Sequence, residues 1–375
     1  MKKIFRYLKD LDWILLLAVL SVAFLGLITI NSFSGDDPSF NRQLILILLS
    51  LFIFLVVDFF DFRFLRRTGV VITIFLFVCG ALLFLLILGA TSNGVQRWLD
   101  FGFFSLQVSD FAKLALIILL AKYFTKRHID IGQFRHIFIS GAYAGVFFVL
   151  VFLQPDFGSA IILAFIWLGM VTVSGISLKH LSIVSLSGVI AFSGMWFFAL
   201  EDYQKERVIS FVQPYADIEG GGYHTRQSII AIGSGEILGK GIGHGTQSQL
   251  RFLPEHKTDF IFAAFAEEWG FVGVVLLFYL YGLIMYRILV NSRKGETNFE
   301  ALFGMGIMIM FMCHIVIHVG ANVGILPVTG TTLPFMSFGG SHIFTSFLAL
   351  GIFMSMRRNR RVVSRESVSQ EVTIV

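Results

Sequence analysis

Asp259 stands in the stretch Leu-Pro-Glu-His-Lys-Thr-Asp-Phe-Ile-Phe (253 to 262), where a long polar segment meets an apolar run of membrane-spanning length. A carboxylate at a membrane edge is costly unless something uses it, so it counts first as a functional candidate. An Asp at a helix start is also stabilised by the helix dipole with no chemistry involved. Thr258 is an equally good cap, and if it holds that role Asp259 is available to a substrate. Glu255, His256 and Lys257 lie in the same loop. Asp110 and Lys113 sit one helical turn apart in Ser-Asp-Phe-Ala-Lys-Leu, a spacing that makes an ion pair on one face. A lysine at the mouth of a helix bundle is also a point charge suited to a phosphate. Arg97, beside Trp98, is a second phosphate candidate, with interfacial anchoring as the plainer reading of the pair.

Other polar constellations carry less chemistry. Glu267 lies about 80° around the helix from Asp259 and Glu268 about opposite, so the two cannot share its face. A two-carboxylate glycosidase arrangement is therefore weakly supported, and burial against Lys or backbone is the better reading of both. Gln-Pro-Asp-Phe-Gly (154 to 158) breaks the hydrophobic pattern and places Asp156 either as a cap for the next helix or as a partner for Lys113. His314 and His318 have two-ligand metal spacing but lack a third ligand nearby, so interhelical hydrogen bonding with Asn322 is favoured over a metal. Leu-Pro-Phe-Met-Ser-Phe-Gly-Gly-Ser (333 to 341), with Ser337, Gly339 and Gly340, is non-helical at the membrane edge, where such backbone must line a polar cavity or be buried in protein.

The elements that must position these residues are membrane helices. Of 375 residues, 56% are hydrophobic, 43 are Phe and only 14% are charged, more apolar surface than a soluble domain can hide. Ten apolar runs fall near 13 to 31, 43 to 60, 69 to 90, 109 to 124, 137 to 153, 159 to 176, 181 to 200, 260 to 288, 300 to 320 and 341 to 356. The fold class is an all-α integral membrane protein of about ten transmembrane helices in one domain, 1–361, with a large extracellular loop at about 201–259 between helices 7 and 8. Residues 362–375 read as a cytoplasmic disordered tail. The first run reads as a retained helix and not a cleaved signal. Lys and Arg concentrate in alternate loops, which puts both termini in the cytoplasm. That pattern accounts for the net charge of +5 and argues against nucleic acid. Cys79 and Cys313 lie inside apolar runs as core-filling residues. The segment 91–108 reads as an interfacial loop. No Walker loop, dinucleotide fingerprint or Gly-x-Ser-x-Gly elbow is present. The residues alone thus give an outward-facing site of one acid and several cations, suited to an anionic, lipid-anchored substrate.

Gly-Thr-Gln-Ser-Gln-Leu (245 to 250), Leu-Pro-Glu-x-x-Thr-Asp-Phe-Ile-Phe, Ala-Glu-Glu (266 to 268), Gln-Pro-Asp-Phe-Gly and Leu-Pro-Phe-Met-Ser-Phe-Gly-Gly-Ser, with a similarity that runs along nearly the whole chain, resemble the SEDS family of RodA, FtsW and SpoVE. The first of these, with Leu-Pro-Val-Thr-Gly (326 to 330), looks more like the RodA branch. The resemblance implies a peptidoglycan glycosyltransferase of the bacterial cytoplasmic membrane that polymerises lipid II at the outer face for elongation and rod shape. Asp259 matches the family's essential acid and would be the general base of an inverting displacement that releases undecaprenyl pyrophosphate. Lys113, Arg97, Asp110, Asp156, Glu255, Ser337, Gly339 and Gly340 would bind substrate. The leaving charge calls for Lys113, Arg97 or a divalent cation, Mg or Mn, with no metal site assigned in the protein. The implied partners are a class B penicillin-binding protein and other elongation-complex membrane proteins. A lipid II flippase and a non-catalytic scaffold are the competing readings. Two positions depart from the family pattern: Asp110, where a Glu is expected, and His342.

Overall fold

The structure, a computed structural model, describes residues 11–33, 38–88, 98–100, 105–126, 134–198, 200–212, 221–250, 252–253 and 255–372. Each of the ten apolar runs is a helix: α1 (Trp13–Ser32), α2 (Ser39–Phe59), α3 (Thr68–Leu88), α4 (Val108–Thr125), α5 (Phe134–Phe152), α6 (Phe157–Val173), α7 (Leu178–Phe198), α11 (Ile261–Arg293), α12 (Asn298–Asn322) and α13 (Gly340–Val372). Seven of them, α1, α2, α3, α5, α7, α11 and α12, are long and apolar enough to cross a membrane, and α6 is a shorter apolar helix. α4 is the buried centre and packs on α3, α5, α6 and α12, while α13 lies along α2. α7 has no buried residue, so the bundle leaves most of its apolar surface uncovered.

Apolar side chains gain little by leaving lipid for protein, so such helices are held by close packing and by hydrogen bonds between them. Gln154 Nε2 donates to the Leu82 carbonyl at 2.8 Å, and Trp167 Nε1 to Ser140 Oγ at 3.1 Å. Asp12 caps α1 through the Leu15 amide, while its second oxygen takes Arg287 at 2.7 Å, Asn291 at 2.7 Å and Arg357 at 3.1 Å. Burial alone would raise the Asp12 pKa, but these donors hold it below the ordinary carboxylate value. Arg66 with Glu300 and Arg358 with Asp58 extend the ion pairs at this end of the bundle.

Three segments differ from the sequence reading. The stretch 91–108 contains an antiparallel hairpin, β1 (Trp98–Asp100) paired with β2 (Ser105–Gln107), so it is not wholly irregular. Among its described residues, the region 201–259 carries three helices, α8 (Asp202–Val212), α9 (Gly221–Ser234) and α10 (Thr246–Gln249), whose apolar residues are too few to register as spans. The backbone of 362–372 continues α13 as helix where a disordered tail is expected.

α11 is broken at Gly270, where φ 63° and ψ −167° interrupt the helix. The glycine-rich segment before α10 fills the break. Lys240 and Gly241 amides donate to the Glu267 and Glu268 carbonyls at 3.0 Å, while the Phe271 and Val272 amides donate to the Glu236 and Ile237 carbonyls at 2.9 and 3.1 Å. Backbone groups freed by the break are thus satisfied by protein, as membrane depth requires. A Cβ at Gly270 would collide with the Gly239 amide and the Ile237 carbonyl, in a backbone region that essentially only glycine adopts. Gly270→Ala is expected to destabilise the protein by about 2–4 kcal/mol, read as a lowered melting temperature in nanodiscs; an unchanged melt would show that the break relaxes at no cost.

Candidate active site

The site forms where two non-helical segments meet. The turn before α11 is tied to the segment before α13: Phe338 N–H donates to the Lys257 carbonyl at 2.8 Å and Ser337 Oγ–H to the Thr258 carbonyl at 3.0 Å. Gln43 of α2 braces the second segment, its Nε2 donating to the Ser337 carbonyl at 3.1 Å. Tyr281 of α11 donates to the Pro334 carbonyl at 2.7 Å. Glu255 sits at φ 49°, the left-handed region, and turns the chain so that Thr258 and Asp259 follow. A non-glycine residue persists there only when its surroundings hold it, and such strain gathers at functional sites.

Neither Thr258 nor Asp259 caps α11. Phe260 is the N-cap and makes no side-chain cap bond. Asn322 at the end of α12 does the work instead, its Oδ1 accepting the Ala263 amide at 3.2 Å and its Nδ2 donating to the Asp259 carbonyl at 2.9 Å. The Asp259 backbone is therefore held from α12, and its half-buried side chain lines a cavity of about 240 Å³.

That cavity gathers Asp259, Glu255, Asp110, Lys113 and Gly339 of the sequence-derived set. Lys113 and Asp110 are 2% and 4% exposed and paired at 2.9 Å. Lys113 also donates to His314 Nε2 at 3.4 Å. His314 Nδ1 lies 3.1 Å from the Thr332 carbonyl, which can only accept, so Nδ1 carries the proton and Nε2 the lone pair. The lysine thus has two of its three donors committed, and the third remains for a ligand. His318 Nδ1–H holds the Thr331 carbonyl at 2.7 Å in the same way, so the α12 stripe of His314, His318 and Asn322 is a hydrogen-bonding ladder.

Asp156, Ser337 and Gly340 stand behind the lining. Asp156 caps α6 through the Ser159 amide at 3.2 Å, and its other oxygen accepts from Gln107 Nε2 at 2.6 Å and Ser109 Oγ at 2.9 Å. Of its two sequence readings the cap is the one formed, and Lys113 pairs with Asp110 instead. Arg97 lies outside the described residues. The lining also includes Trp98, Gln107, Gly330, Thr331, Ser341 and His342, none of which the sequence reading assigned to substrate. Arg207 of α8 approaches as well: a methyl added to Gly330 would lie 3.7 Å from Asp259 Oδ2 and 3.9 Å from an Arg207 guanidinium nitrogen. Its only sequence signal was a cation within a polar segment that reads as loop.

An apolar groove of about 670 Å³ adjoins this cavity, walled by α6, α7, α8 and α12 through residues such as Phe157, Phe192, Phe211 and Val316. Leu326, Pro327 and Thr329 line the groove, and the next residues, Gly330 to Thr332, line the polar cavity. Gly158 lets this segment approach α6, because a Cβ there would strike the Thr329 carbonyl. One short strand of chain therefore separates an apolar slot from a charged pocket.

This fold is that of an integral membrane family. The model of the FtsW/RodA/SpoVE family, described as cell cycle protein, matches residues 10–362, and the chain belongs to that family. Among relatives, it is 38% identical over 284 residues to the peptidoglycan glycosyltransferase MrdB of Escherichia coli, covering 74% of this chain and 75% of the relative. It is 32% identical over 364 residues to stage V sporulation protein E of Bacillus subtilis, covering 93% and 98%. Two solved structures align over 93% of the chain. One, from a peptidoglycan synthase complex that coordinates polymerization and crosslinking, has TM-score 0.80, 29% identity and 98% coverage of its own chain. The other is the rod shape determining protein RodA of Thermus thermophilus, with TM-score 0.70, 27% identity and 97% coverage.

Proposed function

We propose that this chain is a peptidoglycan glycosyltransferase that polymerises lipid II at the outer face of the bacterial cytoplasmic membrane, for cell elongation and rod shape. The observation that carries the reading is the junction of the apolar groove with the pocket of Asp259 and Lys113, which suits a substrate with a lipid tail, a diphosphate and a sugar. The names of the relatives support the same activity. The ion pairs of Asp12, Asp58 and Glu300 collect cations at the end of the bundle away from the pocket, which supports an outward-facing site and cytoplasmic termini.

In this reading Asp259 accepts the proton of the acceptor's 4-hydroxyl as that oxygen attacks the anomeric carbon of the donor. The new C–O bond forms on the face opposite the departing diphosphate, so configuration inverts, and undecaprenyl pyrophosphate leaves. Lys113 receives its charge with the donor not committed to Asp110 and His314, in a buried setting where a fixed cation acts strongly. Gln107 lines the same space, and Arg207 stands near Gly330 at its edge. A divalent ion fits only in part: Glu255 and Asp259 share the cavity, but among the described residues no three His, Cys, Asp or Glu side chains assemble as a metal cage. Mg²⁺ is commonly held by one or two carboxylates together with substrate phosphates, and Glu255 with the substrate diphosphate would hold it, neutralising diphosphate charge and leaving Asp259 free of the metal.

Lys113→Met is expected to lower kcat/KM for lipid II about 100-fold, the order of one removed charge stabiliser; a change under about twofold would take Lys113 out of the diphosphate site. A class B penicillin-binding protein is the partner that would cross-link the strands, consistent with the synthase complex among the structural matches. The test is polymerisation of purified lipid II by the protein in nanodiscs, alone and with that partner carrying inactivated catalytic serines. Long glycan strands support the enzyme. Movement of lipid II across vesicles without polymer would make the chain a transporter, and neither activity with or without the partner would leave a scaffold.

A further inference from the structure

His342 is not used by the mechanism above, yet it lies against its centre. It occupies the first turn of α13, is 6% exposed and lines the cavity with Asp110 and Lys113. Its ring lies against that of His314, tilted by 34° with centroids 4.4 Å apart, and its Nδ1 lies 3.8 Å from Asp110 Oδ1, the oxygen that also holds Lys113. Its Nε2 is buried with no hydrogen-bond partner. A buried imidazole nitrogen without a partner is uncommon, because burial removes the water that would otherwise satisfy it.

Asp110 is therefore flanked by two bases, one paired and one in reserve. Its other oxygen accepts from Ser341 Oγ at 3.0 Å, next to His342 in the chain, so the carboxylate is fixed in place while its cation can change. When an anionic group draws Lys113 toward the cavity, Asp110 loses part of its neutralisation. His342 Nδ1–H is the nearest replacement. An imidazolium there would place a second N–H at Nε2, the atom that lacks a partner, and a diphosphate oxygen, directly or through one water, would supply the acceptor.

We propose that His342 is a proton-coupled second cation of the diphosphate subsite, taking up a proton as the diphosphate binds and releasing Lys113 from Asp110 to meet it. The proposal rests on the reading of this cavity as a diphosphate-handling site. The proton comes from solvent on binding and returns to solvent when the diphosphate product leaves, so the cycle is balanced. The titratable groups around the ring are Asp110 and Lys113 of α4, His314 and His318 of α12 and, across the cavity, Glu255 and Asp259. Because binding takes up a proton, affinity falls as pH rises.

The experiment is calorimetry on the full-length protein in nanodiscs, titrated with inorganic pyrophosphate and, separately, with a polyprenyl diphosphate, in two buffers of different ionisation enthalpy. Uptake of about one proton per bound diphosphate is expected in wild type and its loss in His342→Gln. Binding of the polyprenyl form alone would identify the lipid headgroup as the source of the anion and carry the test in that arm. In steady state, the KM of wild type for lipid II should rise about tenfold from pH 6 to pH 8 while that of His342→Gln stays flat. His342→Asn serves as a second variant if the glutamine protein melts early. Proton uptake that is absent in wild type, or unchanged in both variants, overturns the proposal, as does failure of both diphosphates to bind. Asp259→Asn keeps the two ideas apart: its proton uptake should persist, and polymerisation by it would defeat the enzymatic assignment of Asp259 while leaving His342 to be judged by calorimetry.

Discussion

Asp259→Asn is expected to lose glycan polymerisation by about 10³-fold with little change in folding. The substitution keeps the size of the side chain and removes its basicity. Its turn is held by backbone bonds: the Asp259 carbonyl accepts from Asn322, the Thr258 carbonyl from Ser337, and the Lys257 carbonyl from Phe338 N–H. These three bonds are kept in the asparagine variant. Polymer length on gels from fluorescent lipid II, with melting temperature as the folding control, reads the effect. Loss in kcat with little change in KM fits a base, since the proton moves only in the transition state. Activity within tenfold of wild type would remove Asp259 as the base.

Glu267→Ala is the second large effect, and it acts on stability. The Glu267 side chain is fully buried and accepts from Lys240 Nζ at 2.8 Å, Gln247 N–H at 3.0 Å, Ser248 N–H at 3.3 Å, Ser248 Oγ at 2.9 Å and Thr246 Oγ1 at 3.3 Å. Truncation leaves the buried donors around Ser248 without an acceptor, while Lys240, 27% exposed, can turn to water. The expected cost is about 3 kcal/mol, less than a wholly buried ion pair would lose. The readouts are a lowered melting temperature and protease cleavage between residues 236 and 250. Because that segment leads into Leu253 and the turn of Asp259, activity should fall in parallel. Glu267→Gln retains an acceptor oxygen and should lie between the two. Wild-type melting and protease resistance in the alanine variant would show that the segment is held elsewhere.

The helices were legible because bilayer thickness imposes length and apolarity on a segment whatever its neighbours do. Asp259 and Lys113 were legible as charges at the edges of such runs, where the cost of burial makes each one conspicuous. The ion pair of Asp110 with Lys113 and the cap at Asp156 followed from local spacing alone. Trp98, Arg207, Thr331 and Ser341 were not legible, because each reaches the cavity only through contacts between distant segments, and no short-range pattern encodes those. The helices α8 and α9 were missed for a related reason: they are too polar for a hydropathy window and rich in glycine or charge. The break at Gly270 left no mark either, since an Ala-Glu-Glu-Trp-Gly run inside a spanning helix looks like a helix with a polar spot.

The Gly270 break also bears on how the protein is made. Residues 261–269 rise only about 14 Å as a helix, too little to cross a bilayer, whereas 271–293 are long enough. The insertion signal of α11 therefore resides in its second part, and the first part is completed by residues 236–241, which leave the ribosome earlier. When α11 enters the membrane, the segment that finishes its hydrogen-bond ladder is already synthesised.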